Sequence, residues 1–149
     1  MLINERLVLL NSKAKNREEL IRELALLAYK DGKISDIEDY IKAVLKREAE
    51  YSTAVGFGVA IPHGKSDSVI DSFLAFAKSE DIDWDAPDQN PVDIVFLIGV
   101  PEKDAGSLHL KILANLSRKL MKEDFRNSLR NIKTSAELLD FLNKSELGF

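Results

Sequence analysis

The chain has 149 residues, of which 45% are hydrophobic, and its 21 lysines and arginines are outnumbered by 25 aspartates and glutamates. This length suits a single domain with a hydrophobic core, and a net charge of −4 lacks the basic footprint of a nucleic-acid-binding domain. The absence of cysteine excludes disulfide bonds and thiolate metal ligands.

The N-terminal segment does not have the pattern of a targeting sequence. Glu5 and Arg6 precede only a brief apolar run, which predicts a short strand at 7–10 instead of the apolar region of a signal peptide. No segment reaches the ~18 consecutive apolar residues of a membrane span. We therefore expect a soluble, cytoplasmic protein.

Two helices are predicted after this strand, each with a capping box at its start. Asn16 and Glu19 precede apolar residues at helical spacing, and Gly32 ends the first helix. Ser35 and Glu38 have the same spacing before a second apolar stripe that runs toward residue 50.

The middle of the chain changes to short apolar runs separated by turn residues. This pattern predicts strands at 55–61, 72–77 and 92–100, with a loop at 83–91 that contains Trp84. The last of these runs is nearly continuous in its apolarity, which is typical of a central strand covered on both faces.

Three more helices follow Pro101, the last with a capping box at Thr134 and Glu137. The order of one strand, two helices, three strands and three helices indicates an α/β or α+β fold, with helices packed on a mixed sheet. No internal repeat or linker divides the sequence, so we predict one domain over residues 1–149.

One of the two histidines, His63, lies between Pro62 and Gly64 at the predicted end of a strand and start of a loop. Proline fixes its own backbone and glycine tolerates conformations that other residues avoid, so the imidazole is held in a preset position. Exposed peptide N–H groups of such a turn, followed by Lys65, can bind an anion. A histidine beside glycine is equally typical of an ordinary turn.

The second histidine, His109, falls near the start of the helix after Pro101, with Ser107 as the predicted N-cap. It shares an apolar stripe with Ile112 and Leu116, so it is predicted to face inward. A helix N-terminus favours an anion, and a neutral imidazole there can donate one N–H to a phosphate. A buried structural histidine explains the same pattern.

Other chemistries have less support in this sequence. It contains no serine nucleophile elbow, no H-E-x-x-H and no P-loop, and "GFG" at 56–58 lacks the third glycine of a dinucleotide fingerprint. The spacing of the histidines matches no known metal motif, so no metal site is predicted.

The segment "LKREAEYSTAVGFGVAIPHGKSD" resembles the signature of the enzyme IIA component of the bacterial sugar phosphotransferase system, fructose/mannitol type. "IDWDAPDQNPVDIVFLIGVP", "HLKILANLSRKLM" and "EDFRNSL" resemble later segments of that family in the same order, so the similarity covers nearly the whole chain. The resemblance implies an α/β fold, with a mixed sheet flanked by helices on both sides.

The resemblance also implies roles for individual residues. His63 matches the phosphorylated histidine, His109 the histidine that assists at the same site, and Arg47 the arginine that helps to hold the phosphoryl group. Thr53, Gly64 and Lys65 are further candidates for the phosphoryl-binding site, although a lysine in an exposed loop is more often only solvated. The family often has Asn-Glu before the helix histidine, whereas this chain has Ser107 and Leu108, so help from that glutamate is absent here.

The implied activity is a phosphoryl relay in which the histidine phosphocarrier protein is the donor, His63 the carrier and a IIB component the acceptor. It requires no nucleotide, metal or other cofactor, and contact with a membrane permease occurs only through partners. A transport role for fructose or a related sugar or polyol is one reading, and a nitrogen-related regulatory protein with the same phosphohistidine is the second. The third is a binding module with two structural histidines. Each of the three needs a partner surface, which we expect at an exposed apolar rim around the His63 loop that includes Phe57 or Val55.

Overall fold

The computed structural model describes residues 2–104 and 107–147, without the side chains of residues 104 and 107–109. Within these residues, six strands form one mixed sheet, and five α-helices accompany it. The strands are β1 (Val8–Ser12), β2 (Ala54–Gly56), β3 (Val59–Ala60), β4 (His63–Ser66), β5 (Phe73–Ile82) and β6 (Val92–Pro101). The helices are α1 (Arg17–Lys30), α2 (Ile37–Glu50), α3 (Ser107–Leu120), α4 (Glu123–Asn131) and α5 (Ser135–Lys144).

The sheet is built around β5 and β6, which pair antiparallel at its centre. Its order is β1-β5-β6-β3-β2, and β4 also pairs with β6. Residues 73–77 and 94–101 are buried without interruption, and because successive side chains of a strand point to opposite faces, both faces of the sheet must be covered. The predicted fold class, a mixed α/β sheet with helices on both sides, is confirmed.

Side-chain caps start α1, α2 and α5, and two of the three predicted capping boxes are correct. Asn16 accepts a hydrogen bond from the Glu19 backbone N–H at 2.9 Å, and Thr134 begins α5 in the same way. The prediction of Ser35 as the cap of α2 is wrong, because Asp36 accepts from the Asp39 N–H at 3.1 Å. Ser35 instead donates its hydroxyl to the Ser68 carbonyl, which ties the start of α2 to the chain beyond β4.

The predicted strand at 55–61 is a tight hairpin of β2 and β3. The three residues at its tip, Gly56, Phe57 and Gly58, all have positive φ angles, of 95°, 60° and 81°. Glycine adopts this region freely and phenylalanine does not. The Phe57 backbone is held from both sides, since its N–H donates to Asp88 and its carbonyl accepts from Arg130. These contacts offset the unfavourable φ of Phe57 and let the chain reverse inside an apolar run.

His63 is the first residue of β4, not the start of a loop as predicted. Val59 pairs with Ile94 and His63 with Ile98, so the register on β6 is unchanged across Pro62. The Pro62 carbonyl accepts from the Ile98 N–H at 3.0 Å, although proline has no N–H to donate. Residues 59–66 therefore follow one edge of β6, and this pairing fixes the backbone of His63.

Gly64 allows α2 to lie directly on β4. A Cβ atom at this position would lie 2.8 Å from Val44 Cγ2 and 3.2 Å from the Val44 backbone nitrogen. The backbone of α2 cannot retreat without moving the residues that follow Val44 on the same helix. The absence of a side chain at Gly64 thus sets the spacing between Arg47 and His63.

We expect Gly64→Ala to lower the free energy of unfolding by about 1–3 kcal/mol, the usual cost of overpacking a core. Urea denaturation measures this change. Val44→Ala removes the nearest methyl group, so the double variant should lose less stability than the sum of the two single variants. Strict additivity would contradict the proposed steric contact.

Candidate functional site

The imidazole of His63 is buried, with 9% of the residue surface exposed. Its Nδ1 lies 2.8 Å from the Ile61 carbonyl oxygen. A carbonyl can only accept, so Nδ1 carries the proton and the neutral ring has its lone pair on Nε2. Because the acceptor is backbone at the end of β3, the tautomer and the ring orientation are set by the fold.

The electrostatic surroundings keep this imidazole neutral at pH 7. Burial lowers the pKa of His63 from its usual 6.5. The hydrogen bond to Ile61 acts in the opposite direction, the positive charge of Arg47 lowers the pKa further, and the negative charge of Glu48 raises it. The net effect is a pKa below the usual value, which favours the neutral form of the ring, the form that acts as a nucleophile.

A cavity of about 480 Å³ adjoins the ring. It lies between the second half of α2 and β4, and its lining consists of Ala43, Lys46, Arg47, Glu50, His63, Gly64, Lys65 and Glu102. Three of these side chains are cationic and two are anionic. A cavity of this size and charge accommodates a phosphoryl group on His63, with cations in reach of its oxygens.

Arg47 is held in place by Tyr51, the C-terminal cap of α2. Its Nη1 donates to the Tyr51 carbonyl at 2.8 Å, and its guanidinium lies 4.3 Å from the centroid of the Tyr51 ring. Only one of the five guanidinium N–H groups is needed for the carbonyl. Arg47 is therefore oriented at the cavity and retains donors for an anion.

The structure brings four of the six candidate residues to this cavity: Arg47, His63, Gly64 and Lys65. Thr53 is buried, and its hydroxyl donates to Glu48 at 2.5 Å. It is not among the described residues that line the cavity. Gly64 contributes the close approach of α2. Lys65 is exposed at the rim.

His109 lies in the first turn of α3, but its side chain falls outside the described residues. The inward orientation and the phosphate contact predicted for it therefore remain predictions. The helix begins at Ser107, the residue predicted as its N-cap, which is within the usual uncertainty of a helix boundary.

Sequence reasoning did not single out Tyr51 or Glu48 as site residues. Tyr51 gave no signal, because an exposed tyrosine after a helix is unremarkable. Glu48 did give one: it follows Ile41 and Val44 on the apolar stripe of α2, where a carboxylate is out of place. The structure buries it to 3% exposure beside Trp84 and Thr53.

A second polar cavity, of about 260 Å³, lies near β1 and β5 and contains Lys78 and Arg130. Both cationic side chains bind other groups of the protein itself. Lys78 donates to the Arg130 carbonyl at the end of α4, and the Arg130 guanidinium pairs with Asp93 at 2.9 Å. This cavity therefore offers less to an anion than the one beside His63.

Comparison with known proteins identifies the family. Residues 1–145 match the family described as "Phosphoenolpyruvate-dependent sugar phosphotransferase system, EIIA 2". The chain belongs to this family, whose members are phosphoryl-transfer components.

Several curated relatives carry fructose-specific names. The chain is 41% identical to the fructose-specific EIIA component of Haloferax volcanii over 137 residues, which cover 91% of the chain and 88% of the relative. It is 36% identical to the fructose-specific EIIABC component of Bacillus subtilis over 146 residues, which cover 97% of the chain and only 23% of that relative.

The fold also matches a solved structure closely. The nitrogen regulatory protein IIA-Ntr from Neisseria meningitidis superposes with a TM-score of 0.87 at 30% identity, covering 95% of this chain and 96% of its own. In the described part of the chain, no helix is both long and apolar enough to span a bilayer. No group of three or more histidines and carboxylates suited to a metal occurs among the described residues.

The charge of Arg47 gives a testable effect on His63. Replacing it in Arg47→Gln removes a positive charge that disfavours the imidazolium, so the pKa of His63 should rise. Arg47→Lys keeps the charge and should leave the pKa closer to that of the wild type. Titration of the histidine ring signals by NMR measures both, and an unchanged pKa in the glutamine variant would rule out this electrostatic coupling.

Proposed function

We propose that this protein is the phosphoryl carrier of a fructose-type sugar phosphotransferase system, with His63 as the residue that is phosphorylated. The observation that carries the proposal is the buried, neutral His63 ring, whose Nδ1–H is fixed on the Ile61 carbonyl and whose neighbour in the cavity is Arg47. The fructose-specific relatives support the sugar class.

In the proposed reaction, Nε2 of His63 attacks the phosphorus of a phosphohistidine on the histidine phosphocarrier protein. The new Nε2–P bond forms as the donor's N–P bond breaks, and the donor imidazole leaves with the electron pair of that bond. The proton on Nδ1 stays in place, and the His63 ring takes on positive charge. The Ile61 carbonyl, 2.8 Å away, stabilises that charge because it accepts from a more acidic N–H.

Catalysis of phosphoryl transfer depends mainly on position and charge compensation. Arg47 supplies a planar pair of donors for the phosphoryl oxygens. Lys46 and Lys65 at the cavity add positive potential that attracts the phosphorylated donor. His109, in the first turn of α3, is proposed to donate a further N–H to the same group.

The proposed acceptor is a IIB component, to which phosphohistidine passes its group by the same chemistry in reverse. The Bacillus subtilis relative, an EIIABC component, supports this order because its name joins IIA to B and C parts in one protein. The sugar itself is bound in the proposed scheme by the permease and never by this chain.

Incubation with phosphoenolpyruvate, enzyme I and the histidine phosphocarrier protein should add one phosphoryl group, about 80 Da, to the wild-type protein. Intact-mass spectrometry measures the addition, which should be acid-labile. His63→Ala should show none, because it removes the proposed nucleophile. An unmodified wild type, in the presence of phosphorylated carrier protein, would refute the proposed function.

A nitrogen-related regulatory role is the second candidate, favoured by the close match to IIA-Ntr from Neisseria meningitidis. Both roles use the same phosphohistidine, so the fate of the phosphoryl group separates them. The transport role predicts that the isolated phosphoprotein transfers its group to a fructose-type IIB component within seconds to minutes. A phosphoprotein that retains its group in the presence of such a IIB component, and that binds another partner in one phosphorylation state only, would favour regulation.

A further inference from the structure

Glu48 is a buried carboxylate that the phosphoryl-transfer chemistry described above does not use. It accepts from the Thr53 backbone N–H at 2.6 Å, the Thr53 hydroxyl at 2.5 Å and Trp84 Nε1 at 3.1 Å. Arg17 Nη1 on α1 lies 3.8 Å from its Oε2 atom. All of these partners are donors or cations, an arrangement that suits an anion. Burying a carboxylate is costly even when it is paired. A role of Glu48 other than stabilising the fold would explain why it is there.

The first consequence of these contacts concerns Arg47. The Glu48 carboxylate, in the last turn of α2, reaches forward to Thr53 and closes a short loop that contains Tyr51. Tyr51 holds Arg47 through its carbonyl and its ring, yet Tyr51 is 70% exposed and has little packing of its own. Its position is therefore determined by the loop that Glu48 closes.

The second consequence concerns His63. The carbonyl of Thr53 accepts from the Ile61 N–H at 3.1 Å, and the carbonyl of Ile61 accepts from His63 Nδ1 at 2.8 Å. Thr53 is thus bonded to Glu48 on one side and to Ile61 on the other. A displacement of Thr53 changes the anchor on which the imidazole rests.

We propose that Glu48 is a positioning residue for phosphoryl transfer, which fixes Arg47 through the loop at Tyr51 and fixes His63 through Thr53 and Ile61. The role of Glu48 in phosphoryl transfer rests on the proposed function, whereas its role in positioning Arg47 and His63 does not. The side chain of Glu48 is not among the described groups that line the cavity, so it positions Arg47 and His63 through the residues that it binds.

The charge of Glu48 adds a second effect on the same imidazole. It favours the protonated ring, against burial and the positive charge of Arg47, which disfavour it. The other charged groups around the cavity are Lys46 and Glu50 on α2, Lys65 on β4 and Glu102 after β6. A neutral residue in place of Glu48 should therefore lower the pKa of His63 further.

Glu48→Gln tests the proposal, with Ser12→Ala as a matched control. The glutamine keeps the size of the side chain but presents an NH₂ group to surroundings made of donors. Ser12 is also buried, and its hydroxyl donates to Glu23 at 2.7 Å, but it lies on β1 at the opposite edge of the sheet from β4. The control therefore removes a buried hydrogen bond without touching the site.

For Glu48→Gln we expect three changes, of which two are read by NMR of the histidine ring nitrogens without any reaction. The pKa of His63 should fall, the signature of a fixed Nδ1–H tautomer should weaken, and phosphorylation at pH 7 should slow by about 10- to 100-fold, as for the loss of other supporting contacts. Ser12→Ala should leave all three at wild-type values. Circular dichroism establishes that both variants are folded.

The outcomes separate the positioning role from the proposed function. A folded Glu48→Gln protein with a wild-type tautomer, pKa and rate would overturn the positioning role. A wild-type protein that never accepts a phosphoryl group would refute the proposed function, while the NMR signals still decide whether Glu48 positions His63. If Glu48→Gln does not fold, Trp84→Phe removes one donor to the carboxylate, and wild-type NMR signals and rate in that variant would also overturn the proposal.

Discussion

The pairing of residues 59–66 with the central strand β6 is the constraint on which the candidate site depends. Val59 and His63 share one register on β6, so the interruption at Pro62 leaves a gap in hydrogen bonding without a change of direction. β6 itself is held antiparallel to β5 along most of its length and is buried on both faces. The backbone of His63 is thus held by the buried central strand of the sheet, which suits a side chain that must be placed precisely.

Pro62 has a positive role in this arrangement. A proline cannot donate to a neighbouring strand, and its ring biases the preceding residue, Ile61, toward extended geometry. The Ile61 carbonyl is then available to the His63 ring two residues later in place of a partner strand. The same feature that interrupts the strand therefore supplies the hydrogen bond that fixes the tautomer.

The sequence predicted those parts of the fold in which a local pattern and its tertiary setting agree. The apolar run of β6 and the caps Asn16 and Thr134 are of this kind. The cap of α2 could not be chosen from sequence, because Ser35 and Asp36 both suit the position and only the distant Ser68 carbonyl engages the serine. The hairpin at Phe57 was missed for a similar reason: its positive φ is compensated by Asp88 and Arg130, which are far away in the sequence.

The candidate site likewise contains residues that could be predicted from the sequence and residues that could not. His63 and Arg47 were predicted because they match a recognisable motif, and the structure places both at one cavity. The function of Tyr51 as a support for Arg47 has no signature in sequence, because it depends on a backbone carbonyl and a ring face. Thr53 was predicted near the phosphoryl group, whereas its hydroxyl and its N–H are both bonded to Glu48. Glu48 was not singled out from the sequence, where its one signal was a charge on the apolar stripe of α2.

The electrostatic surroundings of His63 bear on its proposed role as a reversible phosphoryl carrier. A nucleophile must be neutral, and burial together with Arg47 favours the neutral ring. In the proposed reaction the phosphorylated ring is cationic, and the Ile61 carbonyl and Glu48 favour positive charge on the ring. Either pair alone would bias the site toward one of the two states and slow either the acceptance or the release of the phosphoryl group. In the proposed relay, opposing contributions of this kind limit the bias toward either state, which suits a residue that first accepts a phosphoryl group and then passes it on.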